Sequence, residues 1–95
     1  MDLNEIINDP ASILVDVRTT MEFQSGNVTG SINIPLNEIP EKVEKFKAMR
    51  GKIIVFCVSG ARSGQAVSFL NTHGVENIYN GGSWMDVNYI KSQSA

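Results

Sequence analysis

The residues best equipped for chemistry lie in one stretch, Cys57-Val58-Ser59-Gly60-Ala61-Arg62-Ser63, which holds the chain's only cysteine. A thiolate, not a thiol, is the nucleophile, and it needs surroundings that favour an anion. Ile53-Ile54-Val55-Phe56 runs straight into Cys57, and beyond Gly64 the apolar residues Ala66, Val67, Phe69 and Leu70 follow helical spacing. That order predicts a buried strand, a tight loop and a helix N-terminus. Such a loop turns backbone N–H groups inward, and the helix start adds partial positive charge. Cys57 is therefore read as a thiolate nucleophile of lowered pKa. A lone cysteine after a buried strand can also be an inert core filler. Its place at the carboxyl end of a strand, where sites form in open parallel sheets, favours the chemical role.

The neighbours can be assigned by the same logic. A helix dipole opposes a cation at its N-terminus, so Arg62 is costly there unless an anion is to be bound. A guanidinium clamps an oxyanion better than an ammonium does, which makes Arg62 a binding residue for an anionic donor. The backbone N–H groups of Val58, Ser59, Gly60, Ala61 and Ser63 are placed to stabilise the sulfur anion. Gly60 permits a positive φ or a close backbone approach. The hydroxyls of Ser59 and Ser63 can add donors, or Ser63 can cap the helix. Asp16, near the end of its own strand, either faces the same crevice or bonds nearby loop backbone, the second being preferred. Arg18 and Glu22 are spaced to pair across one helical turn, as a support for the site. His73 falls in the last turn of a helix, three turns from Cys57, so no Cys–His dyad is expected and its role is capping. Trp84 is either core or a wall of the site.

These residues need a platform, and the chain supplies one. Leu3, Ile6 and Ile7 share a helical face, giving a short helix over 2–8 that stops before Pro10. Strands are predicted at 13–17, 31–34, 53–57 and 75–79. Thr19 and Glu22 form a capping box for a helix running to about Gly26. Ile39, Val43 and Phe46 mark a surface helix over 38–49, with Glu41, Lys42, Glu44, Lys45 and Lys47 as its solvated face. A helix over 63–73 ends at Gly74, Gly81-Gly82 reads as a turn, and a last helix covers 84–90 before a polar tail over 91–95. Strands alternating with helices argue an α/β fold, a parallel sheet covered on both sides.

Composition narrows the function. The 95 residues make one small domain, 42% apolar, with a net charge of −2. That charge gives no general field for nucleic acid. No apolar run approaches a membrane span, and Met1-Asp2-Leu3-Asn4-Glu5 lacks the pattern of a signal peptide. One cysteine allows neither an internal disulfide nor a cysteine-rich metal site, which points to a reducing, cytoplasmic setting; a monomer without a cofactor is the further expectation.

Four segments resemble the rhodanese-like domain of the sulfurtransferase superfamily. Leu14-Val15-Asp16-Val17-Arg18 with Glu22-Phe23 resembles its first signature, and residues 26–35 resemble its GHIxGAxNIP segment. Cys57 to Ser63 resembles the C-x-x-G-x-R-S loop, and Asn80-Gly81-Gly82 with Trp84 resembles the closing GG…W element. Asn27 stands where the family usually has histidine and Ser31 where alanine is common, both departures bearing on local packing. The resemblance implies a five-stranded parallel sheet with helices on both faces. It also implies a cysteine persulfide that carries sulfane sulfur from a donor such as thiosulfate to cyanide, a thiol or a sulfur-accepting protein.

Two other readings remain: a cysteine phosphatase of the same fold, and a noncatalytic interaction module. The module usually goes with a lost cysteine, and Cys57 is kept. The phosphatase loop needs five residues between cysteine and arginine, whereas Cys57 and Arg62 are separated by four, Val58, Ser59, Gly60 and Ala61. The shorter loop suits one sulfur atom and crowds a phosphoryl group.

Overall fold

The computed structural model describes residues 2–93. Asp2 caps the first helix, α1 (Leu3–Asn8), in a reciprocal capping box with Glu5, and Ile6 and Ile7 are its buried residues. Then follow β1 (Ile13–Asp16), α2 (Thr20–Ser25) and β2 (Ile32–Asn33). The Thr19–Glu22 capping box is present as read from sequence. A 3₁₀ helix (Leu36–Lys42) leads into α3 (Val43–Lys47), β3 (Ile53–Cys57), α4 (Ala61–Thr72), β4 (Ile78–Ser83) and α5 (Trp84–Gln93).

The sheet is wholly parallel, in the order β2-β1-β3-β4. The connection from β1 goes outward to β2, and the next jumps back across β1 to β3. The winding therefore reverses between β1 and β3, and their carboxyl ends flank the crevice that such a reversal opens. β3 is buried on both faces. Its Ile53, Val55 and Cys57 join Val15, Ile39, Phe46, Ala66 and Leu70 in one core layer. Ile54 and Phe56 join Ile6, Ile7, Leu14 and Val87 in the other. The two-residue alternation of the strand thus aims Cys57 toward the α4 side.

Four expectations are corrected. The α/β fold with helices on both faces stands, but the sheet has four strands rather than five among the described residues. The residues themselves supply four apolar strand segments, and the stretch before β1 is occupied by α1 and a turn. The single helix over 38–49 is divided, because Pro40 has no N–H to donate and biases Ile39 away from the α conformation. Gly81-Gly82 is not a turn: β4 starts late, at Ile78, and runs through both glycines to Ser83. Val55 pairs with Asn80 and Phe56 with Gly82, so Gly81 is the extra residue of a β-bulge. A Cβ on Gly81 would sit 2.7 Å from Ile54 Cγ2, which is why glycine stands there. Finally, Lys91, Ser92 and Gln93 belong to α5 rather than to a polar tail, whose last two residues, 94 and 95, lie outside the described residues.

Candidate active site

Cys57 ends β3 with only 1% of its surface exposed. The chain turns immediately: the Gly60 N–H donates back to Cys57 Sγ at 3.0 Å, and Ser63 Oγ lies 3.5 Å from the same sulfur. Gly60 makes this closure possible with φ +98, a conformation in which side chains are strained, and a Cβ there would also come within 3.3 Å of Gly82 Cα. Burial pushes the Cys57 thiol up. The Ser63 hydroxyl and the N–H groups of Ser63, Gly60 and Ser59 more than reverse this, bringing it to about 7, below the roughly 8.5 of a free thiol.

Gly60 is also the N-cap of α4, with no side chain capping the helix, so the helix begins at Ala61, two residues before Ser63. Ser63 is therefore inside the first turn and is not the cap. Its fully buried hydroxyl lies within 2.7 Å of Asn80 Oδ1. Val58, Ser59 and Ala61 are exposed at the rim, so what they bring to the sulfur is backbone.

Arg62 is half-buried and held by a partner that the sequence placed elsewhere. Its Nη1 donates to Glu22 Oε1 at 2.8 Å and its Nη2 to Oε2 at 3.1 Å. The Arg62 hydrogen bond, followed by the Thr19 N–H, holds the Glu22 carboxyl down at about 2. Glu22 and the negative charge available on Cys57 both favour the Arg62 cation. Only two guanidinium N–H groups are used by Glu22, which leaves others for an anion.

Arg18 does not pair with Glu22. It precedes the N-cap Thr19, lies outside the helix, and turns inward to Asp16 instead. Its Nε lies 3.0 Å from each Asp16 carboxylate oxygen and its Nη2 2.8 Å from Oδ2. The same Nη2 donates to the Gly26 carbonyl, and the guanidinium lies 4.3 Å from the Trp84 ring centroid. Asp16 also accepts the Arg18 N–H, which is the local structural role preferred from sequence. Trp84 packs against the second core layer and under Arg18, so it is wall and core together. Asn27, in place of the family's histidine, donates to the Phe23 carbonyl at 2.9 Å at the end of α2. His73 caps α4, its Nδ1 2.7 Å from the Phe69 carbonyl.

A model of the rhodanese-like domain matches residues 1–85. The chain belongs to the rhodanese-like family. It is 34% identical over 74 residues to the thiosulfate sulfurtransferase PspE of Escherichia coli, covering 77% of this chain and 71% of that protein. It is 30% identical over 83 residues to a tRNA uridine(34) hydroxylase of Hamiltonella defensa. That match covers 82% of this chain but 23% of the hydroxylase, so the chain spans about a quarter of that relative's length. A solved rhodanese with anions from E. coli superposes with a TM-score of 0.70 at 33% identity, over 79% of this chain and 89% of that one. Relatives thus include sulfur-transfer enzymes and longer tRNA-modifying proteins.

Three residues of this rhodanese-like site escaped the sequence reading. Glu22 pairs with Arg62 rather than with Arg18, the partner that helical spacing suggests. Asn33 donates to the carbonyls of both Asp16 and Arg18, each at 3.0 Å, and so fixes the end of β1. Asn80 touches Ser63, Gly60 and Gly82. The signal for Asn80 was available: a polar residue at a strand's carboxyl end, followed by two glycines.

Proposed function

We propose that the protein is a sulfurtransferase that moves a sulfane sulfur from thiosulfate or another persulfide donor to a thiophilic acceptor, through a persulfide on Cys57. The observation that carries this reading is the low-pKa Cys57 thiol enclosed by the Gly60 N–H and the start of α4. The likeness to PspE supports the same donor class.

In the first half-reaction the Cys57 thiolate attacks the outer sulfur of the donor. The new S–S bond forms with the thiolate's electron pair, the donor's S–S bond breaks, and the leaving group, sulfite from thiosulfate or a thiolate from a persulfide, departs with that bond's pair. In the second, a cyanide or thiolate acceptor attacks the terminal sulfur, and the pair of the breaking bond returns to Cys57. Donor and acceptor balance each other, so no external oxidant is required. The amides across residues 58–63 stabilise the thiolate and the persulfide anion in turn. The unspent N–H groups of Arg62 bind the anionic end of the donor.

Thiocyanate formation from thiosulfate and cyanide, beside hydrolysis of an aryl phosphate by the same preparation, tests this. The expected result is the first activity, its loss in Cys57→Ser with the cooperative melt retained, and no Cys57-dependent phosphate release. The reverse pattern would assign the loop to phosphoryl chemistry.

A further inference from the structure

Asn80 is held from three sides. Its Nδ2 donates to the Gly60 carbonyl at 3.1 Å, and its Oδ1 accepts the Gly82 N–H at 2.9 Å. A flipped carboxamide would set donor against donor and acceptor against acceptor, so these two backbone groups fix which atom faces Ser63. It is Oδ1, 2.7 Å from Ser63 Oγ.

Ser63 Oγ has one hydrogen and two neighbours, Asn80 Oδ1 and, at 3.5 Å, Cys57 Sγ. Beside a protonated thiol, the hydroxyl donates to Asn80 and its oxygen receives the S–H. Beside a thiolate, the hydrogen turns to the sulfur. Asn80 Oδ1 is not orphaned by that turn, since it keeps the Gly82 N–H. Inside a helix a serine has a competing choice, the carbonyl three or four residues back. For Ser63 the carbonyl three back is that of Gly60, which the Gly64 N–H and Asn80 Nδ2 already occupy. Asn80 therefore offers Ser63 an acceptor on the sulfur side and helps to occupy one of the helix carbonyls, that of Gly60, to which it could otherwise turn.

We propose that Asn80 is a positioning residue of this site, keeping the Ser63 hydroxyl poised beside Cys57 Sγ as acceptor for the thiol and donor for the thiolate. It deepens the reading of Cys57 as a sulfur-transfer nucleophile and rests on that reading for its purpose. In the second half-reaction the departing group is the Cys57 thiolate, which the same hydroxyl meets as its charge develops.

The elements around the thiol carry other charged groups. Arg62 of α4 couples to Cys57, and Glu22 of α2 holds Arg62. Asp16 and Arg18 beyond β1 hold each other. Asp86 lies in the first turn of α5, while Glu38, Glu41 and Lys42 lie on the 3₁₀ helix. β4 sets uncharged Ser83 opposite Cys57. None of these changes in the variants below.

The test is the pH midpoint of Cys57 alkylation by iodoacetamide, which needs no sulfur donor and so stands apart from any failure of sulfur transfer. Asn80 is exposed, so truncating it opens no cavity. Loss of one hydrogen bond to a charged acceptor is expected to raise the midpoint by about one pH unit in Ser63→Ala. Asn80→Ala takes away the acceptor that the hydroxyl uses only beside the protonated thiol, so it should lower the midpoint, and Asn80→Ala with Ser63→Ala should match Ser63→Ala alone. That non-additivity is the signature of action through Ser63. An unshifted or raised midpoint in Asn80→Ala, or a double variant displaced by the sum of the two, would overturn the proposal and leave Asn80 as a tether of the loop.

Discussion

Two arginine–carboxylate pairs stand at the carboxyl edge of the sheet, Arg18–Asp16 and Arg62–Glu22, each with a closest contact of 2.8 Å. Geometry alone would rank them equal. Burial separates them: the first pair is 4% and 0% exposed, the second 33% and 34%. Arg18 and Asp16 are enclosed and bonded to each other, Arg18 also reaching the Gly26 carbonyl and Asp16 also accepting the Arg18 N–H. Neither is free to meet a substrate, and neither can lose its partner without stranding a charge. Arg62 is held by one carboxylate at an open rim, beside the Cys57 thiol. The difference teaches that a short ion pair locates neither stability nor function until solvent access is known.

The largest expected effect follows from the buried pair. Arg18→Ala should destabilise the fold by about 3–5 kcal/mol, because Asp16 is left charged and enclosed. For a domain whose whole stability is of the order of 5–15 kcal/mol, that is a large share. Urea unfolding measures it, and a loss below about 1 kcal/mol would collapse the contrast between the pairs. Replacing both partners, as in Asp16→Leu with Arg18→Met, should cost less than Arg18→Ala alone. No charge is then stranded.

Arg62→Ala should move stability by less than about 1 kcal/mol while raising the KM for thiosulfate by about tenfold, the scale of one charge-assisted hydrogen bond. Steady-state rates against thiosulfate concentration check this. An unchanged KM would remove Arg62 from donor binding.

The smallest effect is a pH dependence. Glu22 ionises at about 2 in the fold, against roughly 4.3 in an unfolded chain. The native state thus holds fewer protons between those values. The pair's contribution is fully present above about pH 4.3 and is lost as pH falls toward about 2. At this exposure it amounts to about 0.5 kcal/mol. Glu22→Gln keeps an oxygen for the Thr19 N–H but removes the charge, so this part of the acid slope in urea stability should be missing. An identical slope in both proteins would show that the pair adds nothing to folding.

What could be read from the chain follows the range of the forces involved. The β3 run into Cys57, the Gly60 turn and the two arginines are written locally, as is the Thr19–Glu22 capping box. The choice of partners is not. Glu22 lies four residues from Arg18 and forty from Arg62, and only the β1–β3 reversal brings the distant one close. Sequence spacing favoured the wrong arginine because Arg18 sits just before the helix, where helical spacing does not apply. Gly81-Gly82 misled for a related reason. Glycine marks a turn and a bulge equally well, and the crowding against Ile54 that selects a bulge is a tertiary fact. Pro40 was visible inside the 38–49 segment, and its missing N–H outweighed the helical spacing of Ile39, Val43 and Phe46.

The central claim is that Cys57 itself carries the transferred sulfur. Its most direct test is the intact mass of the protein after incubation with thiosulfate, followed by peptide mapping. The account predicts a gain of one sulfur atom on the peptide containing Cys57, removed by cyanide and absent from Cys57→Ser. An unchanged mass under conditions where the wild-type protein turns over thiosulfate, or an added sulfur that persists in Cys57→Ser, would contradict it.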